Sequence, residues 1–192
     1  MGSQIHGDKN NFALTAIITV FYQLFFFVIA ASYKFDKVTD LAGGTNFVVI
    51  NIITWSISAI PNSEYRQDAA TWLVVAWGVR LSAFLFYRIM KIGDDKRFDG
   101  MRDRPCQFLV FWVFQMAWVW AVSLPVTFVN SFTNDAIPRG VSAADVIGTI
   151  MAIVGLIIET IADQEKFDFK YVFTCTVLAP VIDVLNRNAY CF

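Results

Sequence analysis

Histidine is almost missing from this chain: His6 is the only one in 192 residues. Its scarcity removes histidine-based metal sites and Ser-His or Cys-His nucleophilic catalysis. Cysteine is scarce as well, and Cys106, Cys175 and Cys191 are too few and too scattered for a disulfide framework or a zinc knuckle. Charged residues make up 16% of the chain and nearly cancel, leaving a net charge of −1. No basic surface is left to follow a phosphate backbone, so nucleic acid is excluded as a partner. Lipidation signals are also lacking. Gly2 is followed by His6 where myristoylation needs Ser or Thr, and Cys191 stands in the wrong place for prenylation. There is no internal repeat, low-complexity tract or flexible linker.

What fills the chain instead is apolar. Hydrophobic residues account for 57% and aromatics for 16%, and the mean hydropathy of +0.54 lies far above the soluble balance. A chain of this length and composition is a single multi-spanning membrane domain. Five apolar segments have the 17–25 residues that a tilted helix needs to cross a bilayer: Phe12–Ser32, Leu41–Ile60, Ala69–Met90, Cys106–Val129 and Val146–Ala162. The first is too long for a signal-peptide core and has no small-x-small cleavage site, so it counts as a true span. The second is weakened by Gly43, Gly44, Asn46 and Asn51. A weak sixth candidate, Tyr171–Leu185, carries Pro180 and Asp183 and is equally suited to lie at the interface. The expected fold class is all-α, a multi-pass transmembrane bundle with the lipid bilayer as its first partner.

Basic residues set the expected orientation. With these spans, Lys34, Lys37, Lys91, Lys96, Arg97, Arg102, Arg104, Lys166 and Lys170 share one side, while Lys9, Arg66, Arg139 and Arg187 share the other. The richer side is expected to be cytoplasmic, which makes the N-terminus luminal. Trp72 and Tyr87 flank the third span as interface anchors.

The polar residues within the spans carry the candidate chemistry. Arg80 stands near the middle of an apolar stretch, where a guanidinium costs about 2.5–3.5 kcal/mol on insertion scales. Two readings are open: an ion pair that fixes helix packing, or a residue lining a substrate or cofactor cavity. Asp36 and Asp40 are natural partners for Arg80 or Arg88, and Glu159 is a third carboxylate that Arg80 could meet. Gln115 in the fourth span suits a hydrogen bond across helices, and Pro125 is expected to kink that helix or mark its luminal end. If the fifth helix runs on past its apolar part, Glu159, Asp163, Lys166 and Lys170 fall at i, i+4, i+7 and i+11 on one narrow stripe. Two carboxylates followed by two ammonium groups suit a cofactor with hydroxyls at one end and phosphates at the other. A solvated helical extension accounts for the same pattern. The loop from Lys91 to Arg104 is either a solvated connector or a phosphate clamp built on Arg97, Arg102 and Arg104.

Taken in order, these clusters resemble the steroid 5α-reductase-like membrane enzymes, in the branch that carries the DUF1295 domain. The matching stretches are Phe35-Asp36-Lys37-Val38-Thr39-Asp40, Trp77-Gly78-Val79-Arg80-Leu81, and Arg88 with Gly93, Asp95 and Arg97. They continue with Gln115, Ser123-Leu124-Pro125, Glu159, and Ala162-Asp163-Gln164-Glu165-Lys166-Phe167. The resemblance runs from about Tyr33 to Lys170. It implies a membrane oxidoreductase, in the endoplasmic reticulum, that takes a hydride from NADPH and adds it to an activated carbon–carbon double bond of a lipidic substrate.

By the same resemblance Glu159 and Asp163 contact the cofactor's polar groups, and Lys166 shares their stripe. Lys170 stands at a basic position, and Arg80 and Arg97 line or close the cavity. No catalytic residue is singled out. The steroid reductases polarise their substrate with a carboxylate on the second helix and a tyrosine on the third. Leu41–Ile60 has no Asp or Glu, and Trp77 stands at the tyrosine-like position. After Lys170 the family's Asn- and Gly-rich loop and Arg-His-Pro-Asn-Tyr type motif give way to an apolar tail. The expectation is therefore a partial domain over 1–170 with a divergent tail over 171–192, inactive by itself. Its alternative is a non-catalytic scaffold or regulator that packs its helices against a full-length relative.

Overall fold

The structure, a computed structural model, describes residues 8–33, 38–57, 65–92, 104–131 and 140–173. Among them every element is an α-helix: α1 Phe12–Tyr33, α2 Val38–Ile57, α3 Tyr65–Ile92, α4 Pro105–Ser131 and α5 Ala143–Phe173. The chain divides into two compact units, Met1–Ile150 and Met151–Phe192, with the break two turns into α5.

Each helix start has a local cause. The Asp8 carboxylate accepts from the backbone N–H groups of Phe12, Ala13 and Leu14, at 2.9, 2.8 and 3.1 Å, and meets donors that the first turn of α1 would otherwise leave open. Asn11, just before that turn, takes the left-handed backbone (φ 58°) that Asn tolerates better than most residues. At α5, Ser142 and Asp145 form a reciprocal capping box. The Asp145 N–H donates to Ser142 Oγ at 3.2 Å, and the Ser142 N–H donates to Asp145 Oδ2 at 2.9 Å. α4 opens on Pro105, whose missing N–H costs nothing at that position. Pro125 does not end α4, which runs six residues further to Ser131.

In the first unit α2 packs against α1, α3 and α4. α1, α2 and α3 run antiparallel in turn. Gln23 and Tyr22 of α1 meet Ala42 and Thr45 of α2, and Asp40 and Trp55, near the two ends of α2, meet Arg88 and Asp68 of α3.

Four helices are long and apolar enough to cross a membrane, Phe12–Tyr33, Tyr65–Lys91, Cys106–Ser131 and Ala143–Phe169. α2, expected as a fifth, has the length of a span but not the composition. Its glycines, asparagines and threonines are buried against its neighbours rather than offered to lipid: Thr39, Gly43, Gly44, Asn46, Asn51 and Thr54 are all buried. The first residues of the weak sixth candidate belong to α5, and the remainder of it lies outside the described residues.

Burial runs opposite to that of a soluble bundle. The buried residues of α1 are Thr15, Thr19, Gln23 and Ala30, while Phe21, Phe25 and Val28 are exposed. Among the described residues, buried polar side chains outnumber buried apolar ones. A surface of this kind is stable in lipid tails, where close packing and interhelical hydrogen bonds hold the bundle together. The tightest crossing joins α2 to α3. A Cβ on Gly78 would stand 3.2 Å from the Gly44 carbonyl oxygen and 3.0 Å from Val48 Cγ2, and one on Gly44 would collide with the Ser82 hydroxyl. Small residues here let two backbones meet.

Candidate functional site

Polar groups collect at two levels of the first unit. Between α1, α2 and α4, Gln115 Nε2 donates to Gln23 Oε1 at 3.0 Å and to the Thr39 carbonyl at 3.0 Å. The interhelical bond expected of Gln115 is thus made, and the room for it comes from Gly43, where a Cβ would stand 3.1 Å from Gln115 Nε2. Towards the other end, Asn130 Nδ2 donates to Thr54 Oγ1 and to Thr71 Oγ1, both at 3.1 Å, and ties α4 to α2 and α3. Gln67 Nε2 donates to the Val129 carbonyl at 3.1 Å beside it.

Ion pairs lie near the helix ends. Arg88 Nη2 stands 3.2 Å from Asp40 Oδ2, with both side chains partly open, so Asp40 serves Arg88, one of its two expected partners. Asp36 lies outside the described residues. Arg66 grips Asp145 bidentately at 2.7 and 2.8 Å, and Tyr65 Oη reaches Thr149 Oγ1 at 3.4 Å nearby. Trp55 Nε1 donates to Asp68 Oδ1 at 2.8 Å and meets Trp72 edge-on at 5.6 Å. The expected anchors Trp72 and Tyr87 are both exposed, near opposite ends of α3, and Lys91 Nζ lies 5.9 Å over the Tyr87 ring.

Of the expected cofactor residues, Arg80 is half-buried on α3, on the side that also carries Trp77, Phe84 and Tyr87. Arg97 lies outside the described residues, as does Arg102, so the loop clamp is not described beyond Arg104 at its end. In the second unit, α5 is continuous to Phe173, which meets the condition for the stripe: Glu159, Asp163, Lys166 and Lys170 all lie on one unbroken helix. Glu159 and Asp163 are half-buried and share a face with Leu156 and the buried Phe167, while Lys166 is exposed. Gln164 and the exposed Asp168 pair with each other at 2.9 Å on another side. Glu159 to Lys170 spans about 16 Å along the axis. Carboxylates that accept from hydroxyls and ammonium groups that face phosphates suit the two kinds of polar group a dinucleotide carries. Among the described residues no cluster of three His, Cys, Asp or Glu side chains could hold a metal ion.

The sequence reading passed over Gln23, Thr54, Thr71 and Asn130. A signal for them exists in α1, where Thr15, Thr19 and Gln23 recur every four residues in an otherwise apolar run. In a membrane helix such a polar stripe marks the inward face.

Fold and polar interior together define an integral membrane protein of the helical, multi-pass class. A family model described as a protein of unknown function (DUF1295) matches residues 26–176, and the chain belongs to the DUF1295 family. No curated protein and no solved structure matches it.

Proposed function

We propose that this chain is a reductase-type membrane protein that holds NADPH along the α5 stripe and descends from enzymes that reduce an activated carbon–carbon double bond in a lipidic substrate. When bound, NADPH supplies a hydride for one carbon, a proton reaches the other, and NADP⁺ remains. Membership of the DUF1295 family, with a matched region that contains Arg80 and the whole α5 stripe, supports the ancestry. The observation that carries the site is the unbroken helix through Glu159, Asp163, Lys166 and Lys170, with its two carboxylates half-buried. In this reading the carboxylates accept from ribose hydroxyls and the lysines face the phosphates. Arg80 and Arg97 enter on the sequence resemblance alone, as does the assignment to the endoplasmic reticulum with a luminal N-terminus.

Few contacts of this kind have to offset the ordering of a large dinucleotide. With two or three charge-assisted bonds at roughly 1.5–3 kcal/mol each, the expected dissociation constant is on the order of hundreds of micromolar. Fluorescence titration of NADPH into the purified chain in lipid nanodiscs tests this. Weak saturable binding without turnover is expected, and absence of saturable binding up to millimolar cofactor refutes the site.

A second reading has its own support. The Gln23–Gln115 and Asn130–Thr54–Thr71 contacts are satisfied within the bundle and account for its packing without any ligand. A non-catalytic scaffold that packs against a full-length relative needs nothing more. Recovery of the chain with such a relative after mild solubilisation, together with no cofactor binding, favours this reading.

A further inference from the structure

The end of α3 that carries Tyr65 gathers aromatic rings around a carboxylate. Tyr65, Asp68 and Trp72 stand three and four residues apart, so they share one face over the first two turns of the helix. From α2, Trp55 closes on the same face. Its indole Nε1 donates to Asp68 Oδ1 at 2.8 Å, and its ring lies 5.6 Å from that of Trp72, centroid to centroid. The two indole planes meet at 63°, which makes a corner rather than a stack. Trp55 and Asp68 are half-buried, whereas Trp72 is 51% exposed and Tyr65 44%. Tyr65 is kept at this edge by the contact of its Oη with Thr149 Oγ1.

Local causes account for only part of this arrangement. An aspartate in the first turn of α3 suits the helix dipole by itself. A tryptophan near the end of a span suits the headgroup level of a bilayer, with its N–H turned to the wet side. Trp55 instead turns its N–H to Asp68, and Trp72 lies against it. The indole brings the carboxylate a hydrogen but no charge. Arg66, the nearest cation along α3, is gripped at 2.7 and 2.8 Å by Asp145, so its charge is matched there. Donation to an anion also raises the electron density of the indole, which makes the negative face of its ring more negative.

Negative ring faces beside a carboxylate recognise a cation that has apolar surface of its own. A quaternary ammonium is such a cation: it has no hydrogen to donate and spreads its charge over methyl groups that pack on aromatic rings. The source follows from depth. Tyr65–Lys91 is long and apolar enough to cross a membrane, so the first turns of α3 lie at the level of lipid headgroups. We propose that Trp55, Trp72 and Asp68, with Tyr65 at the rim, form a binding site for the choline headgroup of a phosphatidylcholine molecule. The two indoles supply ring faces, and Asp68 supplies the counter-charge. One lipid of the surrounding leaflet is thereby held against α2 and α3 by its headgroup. The inference is independent of any cofactor on α5.

The full chain labelled with 5-fluorotryptophan tests it, in nanodiscs whose phosphatidylglycerol is replaced stepwise by phosphatidylcholine of the same acyl chains. Fluorine NMR reads each indole separately, and Trp118, exposed near the middle of α4, is the reference. The expected result is that the Trp55 and Trp72 signals shift and level off at a small fraction of choline lipid, while Trp118 does not. Shifts that grow in proportion to the bulk composition, or that match those of Trp118, overturn the proposal and leave the two residues as interface anchors only. Equal saturation with phosphatidylethanolamine overturns it too, because the site then reads any ammonium. A second arm uses Asp68→Asn, which keeps an oxygen for the Trp55 N–H and removes the charge. Saturation should then need at least about fivefold more choline lipid. An unchanged titration in this variant also overturns the proposal. Where the variant does not fold, the wild-type titrations decide alone.

Discussion

Replacing Gln115 by leucine removes one donor and with it two contacts, to Gln23 Oε1 on α1 and to the Thr39 carbonyl on α2. Hydrogen bonds between membrane helices average about 0.6 kcal/mol each, so the lost bonds account for roughly 1.2 kcal/mol. The larger part comes from what is left behind. Gln23 is fully buried, and its Oε1, deprived of a donor, loses about 1–3 kcal/mol of hydrogen bonding that neither lipid nor protein restores. The single change should therefore cost roughly 2–4 kcal/mol. Gln23→Leu combined with Gln115→Leu removes both amides together and leaves an apolar contact of similar volume, which should bring the loss back to about 1 kcal/mol or less. Reversible unfolding in bicelles, followed by steric trapping, gives all four corners of the cycle. A coupling of at least about 1 kcal/mol is expected. A neutral Gln115→Leu, or a double variant no better than the sum of the single ones, would refute the claim that this amide pair holds α1 and α4 together.

Other perturbations separate packing from charge. Gly78→Val should cost about 1–3 kcal/mol by forcing α3 away from Gly44 and Val48, and a melting temperature equal to wild type would contradict the close crossing. Asp40→Asn should cost no more than about 1 kcal/mol, because the Arg88–Asp40 pair is partly open to its surroundings, and the loss should shrink further in high salt. A cysteine placed at Ser3 should be labelled only from the luminal side and one at Asp99 only from the cytosol. Cytosolic labelling at position 3 would reverse the topology drawn from the basic residues.

Hydropathy made the helices legible because a span of given length needs a run of apolar side chains wherever it stands in the bundle. The same signal could not rank the spans by position. α2 is the central helix, yet its glycines and asparagines read from sequence only as weakness, since a polar residue lowers hydropathy equally whether it faces a neighbour or water. Gln115 was recognisable as an interhelical donor, but its acceptor Gln23 was not, because a partner depends on register across the intervening loops. The choice of Arg88 for Asp40 depended on register in the same way. The α5 stripe was legible because it follows from helical spacing alone, and it needed only that the helix continue past Ala162. Asn46 was visible to the sequence reading as a defect in a span. Its complete burial, with no partner for its amide among the described residues, emerged only once α1 and α4 were packed around α2.

The cofactor assignment stands or falls on a residue-by-residue titration of NADPH against Glu159→Gln, Asp163→Ala, Lys166→Gln and Lys170→Gln in nanodiscs. Loss of one charge-assisted contact of roughly 1.5–3 kcal/mol weakens binding about 10- to 150-fold, which at this starting affinity is loss of detectable saturation. That loss is expected for Asp163→Ala, with the lysine variants also losing the salt dependence of whatever binding remains. NADPH affinity unchanged across all four variants would contradict it and leave the stripe as a solvated extension of α5.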